Sequence, residues 1–498
     1  MGVDLPIPDL TGMGVICLNQ RLADEWGWSK AFVEEGSVAA WINGVKHPFA
    51  MAYAGHQYGH FTMLGDGRAM LAGEWQTDSG KCYDVHLKGT GPTPFARGGD
   101  GHATLRAMLR EFLISEALHD LGVPTTRSLM VLETPNRVWR DTQERGGILF
   151  RVAPHHVRIG TLEYAVRAMN PEDYARYVGS VLGRTLQCWS GQESWVEGKS
   201  SYAADKPSPG EVIAFLEEWM KRQTDLIAHW MRVGFVHGVL NTDNISLLGA
   251  TMDLGPCAFV NACDFSRSFS SIDAHGRYAW GRQAEIMEWN TGVLLSCLLP
   301  LLGDGPEDPK AMQVAGDLLD RYRGLSLEAI ERMDWAKLGL DYELLRGDVR
   351  LINLVSDWKA WLRVERPDYS LTYLNLESIL VKCMEGEAAG YLDKEGPNIR
   401  ENLPSSEWID AWISVLNSGK EGYTREALTC MQRTNPAIIP RNHRVEEALD
   451  QMVRQGRRDL WEQMLLAFQR PYDRNTVNST LNQAPPWGDA DYCTYCGT

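Results

Sequence analysis

The sequence predicts an α+β fold of two lobes, a small N-terminal sheet-plus-helix lobe and a large, mainly helical C-terminal lobe with extensions. Between Phe61 and Glu133, short apolar runs alternate with glycine turns around one strong amphipathic helix, the pattern of a small sheet carrying a single helix. From Ala284 onward, leucines and tryptophans recur at helical spacing: Leu294, Leu295, Leu298 and Leu301 first, then Trp408, Trp412 and Leu416. With 44% hydrophobic and 23% charged residues, the 498-residue chain has the composition of a folded protein with a large core.

Residues 1–55 read as a mixed lead-in with a helix-like stretch at Leu18–Trp28. Residues 56–160 form the first lobe, with strands at Ala69–Ala72, Tyr83–Leu87, Ser128–Leu132 and Ile148–Val152. Its helix, Ala103–Leu121, aligns Leu105, Leu109, Phe112, Leu113, Ala117 and Leu118 on one face, and Gly122 and Pro124 end it. Residues 161–330 form the second lobe, where helices Glu172–Gln187 and Glu211–Val233 flank a polar insertion, Gly191–Gly210, read as a loop. A helical C-terminal extension spans 331–485, and Pro485, Pro486 and Gly488 introduce a flexible tail, 486–498, that carries a C-x-x-C pair.

The formal charge of −16 argues against nonspecific binding to nucleic acid or anionic membrane. The most apolar run, Leu294–Leu302, is interrupted by Ser296 and Pro300 and falls short of the roughly 20 residues a spanning helix needs. Asp4, Pro6, Pro8 and Asp9 do not make a signal peptide, and the ten cysteines lie mostly singly in apolar segments. A cytoplasmic protein with no nucleic-acid or membrane partner is expected.

Several constellations carry chemistry. Gly65-Asp66-Gly67-Arg68 lets backbone amides approach a phosphate beside an arginine, although glycine pairs also make ordinary hairpins. Lys88 ends an apolar strand, and Glu111 lies on the polar side of the following helix, where it could hold Lys88; Glu116 could serve instead. Asp100 and Gly101 precede that helix, where a carboxylate either caps free amides or contacts a nucleotide hydroxyl. Arg151 and Arg158 flank Pro154-His155-His156 and suggest a triphosphate clamp.

The segment from His237 to Asn244 ends in an Asp-Asn pair, and a short hairpin then leads to Asp253-Leu254-Gly255. Carboxylate and amide oxygens suit a hard cation, which makes Asn244 and Asp253 a metal pair. The seven-residue spacing of His237 and Asn244 matches the protein-kinase pattern H-R-D-x-x-x-x-N, and D-L-G stands for D-F-G. The order of glycine turn, strand lysine, helix glutamate, asparagine and aspartate is that of kinases, so the bilobal fold is read as protein-kinase-like. Val239, however, stands where kinases place the catalytic aspartate, and the nearest acid is Asp243. Ordinary phosphorylation is therefore not expected.

These motifs resemble the selenoprotein O (YdiU) family of protein adenylyltransferases. The resemblance is carried by Tyr53-Ala54-Gly55-His56-Gln57-Tyr58-Gly59-His60-Phe61, Leu64-Gly65-Asp66-Gly67-Arg68, Leu87-Lys88-Gly89-Thr90-Gly91, the Pro154-His155-His156 region, His237-Gly238, Asn241-Thr242-Asp243-Asn244 and His275-Gly276-Arg277-Tyr278. It implies a pseudokinase-like fold that binds ATP in a reversed orientation and transfers AMP to Ser, Thr or Tyr hydroxyls of proteins, itself among them, releasing pyrophosphate. By position it implies that Gly65, Gly67, Arg68, Lys88, Asp100, Gly101, Arg151, Arg158 and Asp253 contact the nucleotide and that Glu111 pairs with Lys88. Asp243 would accept the proton, and Asn244 and Asp253 would hold Mg²⁺ or Mn²⁺.

Cys493 and Cys496 occupy the place of the family's redox-active end; the alternatives are a reduced mobile tail or a partnerless zinc half-site, and Cys257 and Cys263 are candidate partners. Phe269 stands where some relatives carry a cysteine that bonds to the tail. The rival functions are UMP transfer with Mn²⁺, a phosphotransferase acting on small molecules or proteins, and a noncatalytic ATP-binding pseudokinase.

Overall fold

The structure is a computed structural model that describes residues 1–28, 47–191, 206–386, 402–417, 423–477, 479–485, 488–489 and 492–494. Most of the insertion read as a loop, Gly191–Gly210, lies outside the described residues, as does Cys496.

An eight-stranded antiparallel sheet is built from β1 (Gly2–Asp4), β2 (Gly14–Leu18), β3 (Phe49–Gln57), β4 (His60–Gly65), β5 (Ala69–Gln76), β6 (Cys82–Lys88), β7 (Arg127–Trp139) and β8 (Gln143–Ala153). Its order is β1-β3-β5-β6-β8-β7-β2, with β4 paired to β3 alone. Residues 1–55 thus supply three strands of this sheet and most of its first-face cover. The stretch read as a helix at Leu18–Trp28 is helical only at α1 (Gln20–Glu25), because Gly27 turns left-handed at φ 73°.

Alternation along the strands sorts the side chains between two faces. Val85, Leu87, Phe150 and Val152 pack under Leu22, Trp26 and Trp28 on one face. On the other, Leu149 and Val131 meet Leu109, Phe112 and Leu113 of helix α2 (Leu105–Asp120). Burial of this helix face stabilises the lobe by roughly 1.5–3 kcal/mol per large side chain.

The second lobe contains α3 (Ile159–Ala168), α4 (Pro171–Ser190), α5 (Pro209–Val233), α6 (Gln283–Leu302) and α7 (Pro309–Lys337). Helix α5 begins with a Ser208–Glu211 capping box and ends at left-handed Gly234. Directly after it, β9 (Phe235–Val236) pairs with β10 (Ala258–Phe259) and closes the loop 237–257 at its base. The short hairpin expected before Asp253 is absent: Ser246 and Thr251 instead make single bridges outward to Arg158 and Thr125.

The extension continues through α8 (Tyr342–Leu345), α9 (Val349–Glu365), α10 (Tyr369–Met384), α11 (Ser406–Asn417), α12 (Tyr423–Thr434), α13 (Asn442–Arg454) and α14 (Asp459–Phe468). It builds a second core around Trp335, Trp358, Tyr373 and Trp412. It then returns to brace α2, where Glu446 pairs with Arg110 at 2.8 Å and Trp461 lies 6.3 Å from Phe112. The helix that carries Glu111 is thereby held from behind.

The tail, expected to be free, is held at its described residues. Asp489 accepts from the amides of Asn261 and Ala262, and Thr494 bonds Phe269 and Pro256 through its amide and hydroxyl. Hydrogen bonds from both side chains and backbone, which composition does not reveal, are the reason.

Candidate active site

Lys88 stands at the end of β6, and its Nζ lies 2.7 Å from Glu111 and 3.1 Å from Asp253. The strand-lysine and helix-glutamate pair expected from the sequence is therefore made by Glu111. Glu116 is occupied elsewhere, with Arg127, Asn19 and the amide of Ser128.

Asp253 collects three cations. Its Oδ1 accepts from Lys88 and from Arg151 Nη1 at 2.5 Å, and its Oδ2 accepts from Arg158 Nη1 at 3.0 Å. Burial alone would raise this carboxyl, but Arg151, Lys88 and Arg158 outweigh it and hold Asp253 well below the ordinary range. Arg158 also donates to the carbonyl of Asp243 at 2.7 Å and lies 4.4 Å above the ring of Tyr53. The cluster thus joins β6, α2, β8 and the loop 237–257.

That loop is fixed from several sides. His237 bonds the carbonyl of Met252 at 2.8 Å through Nε2, which ties the start of the loop to the residue before Asp253. Asn290 of α6 donates to Leu240 O, and Asn244 Nδ2 donates to Val239 O at 3.0 Å. Strand β3 then lies across residues 241–243: His56 N donates to Thr242 Oγ1, Gln57 Nε2 to Asp243 Oδ2 at 3.4 Å, and Tyr58 N to Asn241 Oδ1.

Asp243 is 7% exposed, and its Oδ1 is buried without a hydrogen-bond partner among the described residues. Burial, only partly offset by Arg158, pushes its carboxyl up to about 6. A carboxylate poised in that range has the proton affinity of a general base working near neutrality.

Gly55 makes this arrangement possible. A Cβ there would sit 2.2 Å from Asp243 Oδ1, so only glycine lets β3 lie directly on the carboxylate. Gly55→Ala is expected to displace Asp243 or β3 by about 1 Å and to lower kcat by about 100-fold without removing any polar group. Steady-state kinetics check this; a loss under fivefold would mean that the turn yields freely.

The remaining predicted nucleotide residues are placed less directly. Asp66, between Gly65 and Gly67, bonds His86 at 2.9 Å, and His86 lies 3.2 Å from Arg151. The glycines themselves admit Phe95, whose ring would be 2.3 Å from a Cβ at Gly65 and whose carbonyl would be 3.0 Å from one at Gly67. Arg68 follows in the ladder beside Lys88, its carbonyl accepting from Gly89 N at 2.7 Å. Asp100 does not cap α2; Thr104 does, and Asp100 instead pairs with Arg140 at 2.9 Å on an exposed loop. Gly101 O accepts from Gly91 N, so this loop adjoins the strand end, but among the described residues Asp100 bonds Arg140 and the amide of His102 rather than the cation cluster.

Asn244 and Asp253 have donors suited to a hard cation. The amide nitrogen of Asn244 is engaged with Val239, which leaves its oxygen as an acceptor, and among the described residues Asp253 Oδ2 takes one hydrogen bond. Among the described residues, no cluster of three or more His, Cys, Asp or Glu side chains is arranged to hold a metal ion. A metal here would need phosphate oxygens and water to complete its shell, as Mg²⁺ commonly does.

Comparison with known proteins shows the family. The model of the family described as Protein adenylyltransferase SelO matches residues 13–469. A protein of Geobacillus kaustophilus named Protein nucleotidyltransferase YdiU is 40% identical over 491 residues, covering 97% of this chain and 93% of its own. Proteins of the same name from Bacillus mycoides and Clostridium botulinum are 37% and 36% identical, covering 99% and 98% of this chain and 95% and 94% of theirs.

The chain belongs to the SelO family.

It is accordingly a nucleotidyltransferase, and the family's names imply ATP and protein substrates. Among the described residues, no helix is long and apolar enough to cross a membrane. The tail cysteine Cys493 is exposed and forms no disulfide among the described residues, whereas burial pushes the thiols of Cys257 and Cys263 up to about 12, so neither offers a ready thiolate. The ring of Phe269 packs 5.9 Å from that of Tyr492.

Sequence reasoning gave no role of their own to Gly55, Gln57 and Asp66, which it quoted only within motifs, or to His86 and Glu163. The last accepts from Thr242 and pairs with His56 at 2.6 Å, bracing the turn before Asp243. The alternation of Asp84, His86 and Lys88 along β6 is the signal that could have revealed His86.

Proposed function

We propose that this enzyme transfers AMP from ATP to Ser, Thr or Tyr hydroxyls of proteins, its own included. The observation that carries the reading is the buried, proton-attracting carboxylate of Asp243, its Oδ1 without a partner among the described residues, beside the three cations gathered on Asp253. The acceptor oxygen attacks the α-phosphorus while its proton passes to Asp243. The bond from the α-phosphorus to the bridging oxygen breaks, and pyrophosphate leaves with its charge met by Lys88, Arg151 and Arg158. Asn244 and Asp253 would hold a Mg²⁺ or Mn²⁺ ion, which supplies further charge neutralisation at the phosphates. Val239, in place of a kinase aspartate, supports transfer at the α rather than the γ phosphate.

The test is incubation with ATP labelled separately at the α or γ phosphate, with Mg²⁺ or Mn²⁺, beside the Asp243→Asn variant. Label from the α phosphate alone, lost in the variant, is the expected result. Transfer of γ label would make the protein a kinase, binding without transfer a regulatory pseudokinase, and preference for UTP with Mn²⁺ a uridylyltransferase.

A further inference from the structure

We infer that His86 is a positioning residue that aims Arg151, linking the turn at Asp66 to the cation cluster through one fixed tautomer. The inference rests on the proposed role of Arg151 as a nucleotide contact.

His86 on β6 stands directly opposite Arg151 on β8, and both side chains are buried. Arg151 Nη2 lies 3.2 Å from His86 Nδ1, and His86 Nε2 lies 2.9 Å from Asp66 Oδ2. A guanidinium only donates hydrogen bonds, so Nδ1 must present its lone pair. The neutral ring then carries its proton on Nε2, where Asp66 accepts it. Asp66 is itself fixed, because the same oxygen accepts from Met51 N at 3.1 Å.

The ring is braced as well as bonded. His156 stacks on it with centroids 4.8 Å apart, and Asp84 holds His156 through its amide at 3.0 Å and its Nδ1 at 3.3 Å. Arg151 Nε has no partner among the described residues, so His86 and the carboxylates on Nη1 set the guanidinium's direction. With Nη2 held by His86, Nη1 is turned to Asp253 and Glu111. Without that second tether, the guanidinium would swivel about a single nitrogen. A fixed fork binds phosphate better than a swivelling one because its orientation is set before the ligand arrives.

Two substitutions separate the halves of the ring. Asn places an amide oxygen where Nδ1 sits and can still accept from Arg151; Gln reaches the Nε2 position and keeps only the donor to Asp66. ATP affinity by calorimetry, KM, kcat and melting temperature are measured for His86→Asn, His86→Gln and Arg151→Ala. His86→Gln is expected to weaken ATP binding and raise KM about tenfold or more, the worth of a hydrogen bond to a charged group, whereas His86→Asn stays within about threefold. Equal effects in both variants, tracking melting temperature, would reduce His86 to a structural residue and overturn the inference. Unchanged ATP affinity in Arg151→Ala would overturn the clamp reading and the inference with it. If a His86 variant fails to fold, the imidazole nitrogen shifts of the wild-type protein decide: a neutral ring protonated on Nε2 is required, and any other state overturns the proposal.

Discussion

Asp243→Asn is expected to lower kcat by a factor of about 100 to 10,000 while leaving ATP affinity near that of the wild type. In chelator at pH 8, the same variant is expected to melt at a higher temperature than the wild type. The two effects have one cause. Burial raises the Asp243 carboxyl from 3.8 to about 6. The folded chain therefore binds this proton more tightly than the unfolded chain. The resulting stabilisation is fully present below about pH 3.8 and is lost as pH rises through about 6. At pH 8 the native state holds a buried, ionised carboxylate with one oxygen unpartnered, a burden on the order of 3 kcal/mol relative to an uncharged side chain. The amide keeps the shape and an acceptor for Gln57 but removes the charge. The variant's gain in melting temperature should shrink steadily toward pH 4. A lower melting temperature at pH 8, or a kcat only a few times below wild type, would sink the reading of Asp243 as a base kept at a cost in stability.

The parts of this site that sequence displays and hides differ in physical kind. The pairing of Lys88 with Glu111 was legible because a strand end and the polar side of a helix are set by periodicity, and both patterns are long. Arg151 and Arg158 were legible for the same reason, flanking a strand end. The role of Gly55 was not, because a glycine in a strand carries no sign of what it must admit, and Asp243 lies 188 residues further on. His86 was hidden in a strand read as apolar, whose polar alternation faces an internal cluster rather than water. For Asp100 the sequence offered a cap or a nucleotide contact and could not show its partner, Arg140, because that residue approaches from a different strand end. The helical half was readable in outline, but its return to brace α2 depends on contacts such as Arg110 with Glu446, which no local pattern encodes.

Asp253→Ala should abolish transfer and destabilise the fold by about 3–5 kcal/mol, since removing one partner of a buried ion cluster leaves the others uncompensated. Glu111 still neutralises Lys88 and lies 3.5 Å from Arg151, which places the expected loss toward the lower end of that range. Arg158 suffers most, because among the described residues Asp253 is the only carboxylate within 4.0 Å of its guanidinium. Inorganic triphosphate added in chelator should then raise the melting temperature of the variant more than that of the wild type. In the wild type an incoming polyphosphate competes with Asp253 for the same three cations, and in the variant it replaces the missing charge. The comparison avoids divalent metal, so any part Asp253 plays in holding a cation does not enter. Equal stabilisation of both proteins would mean that Lys88, Arg151 and Arg158 do not face the phosphates, and that the cluster's charge serves only the junction of the two lobes.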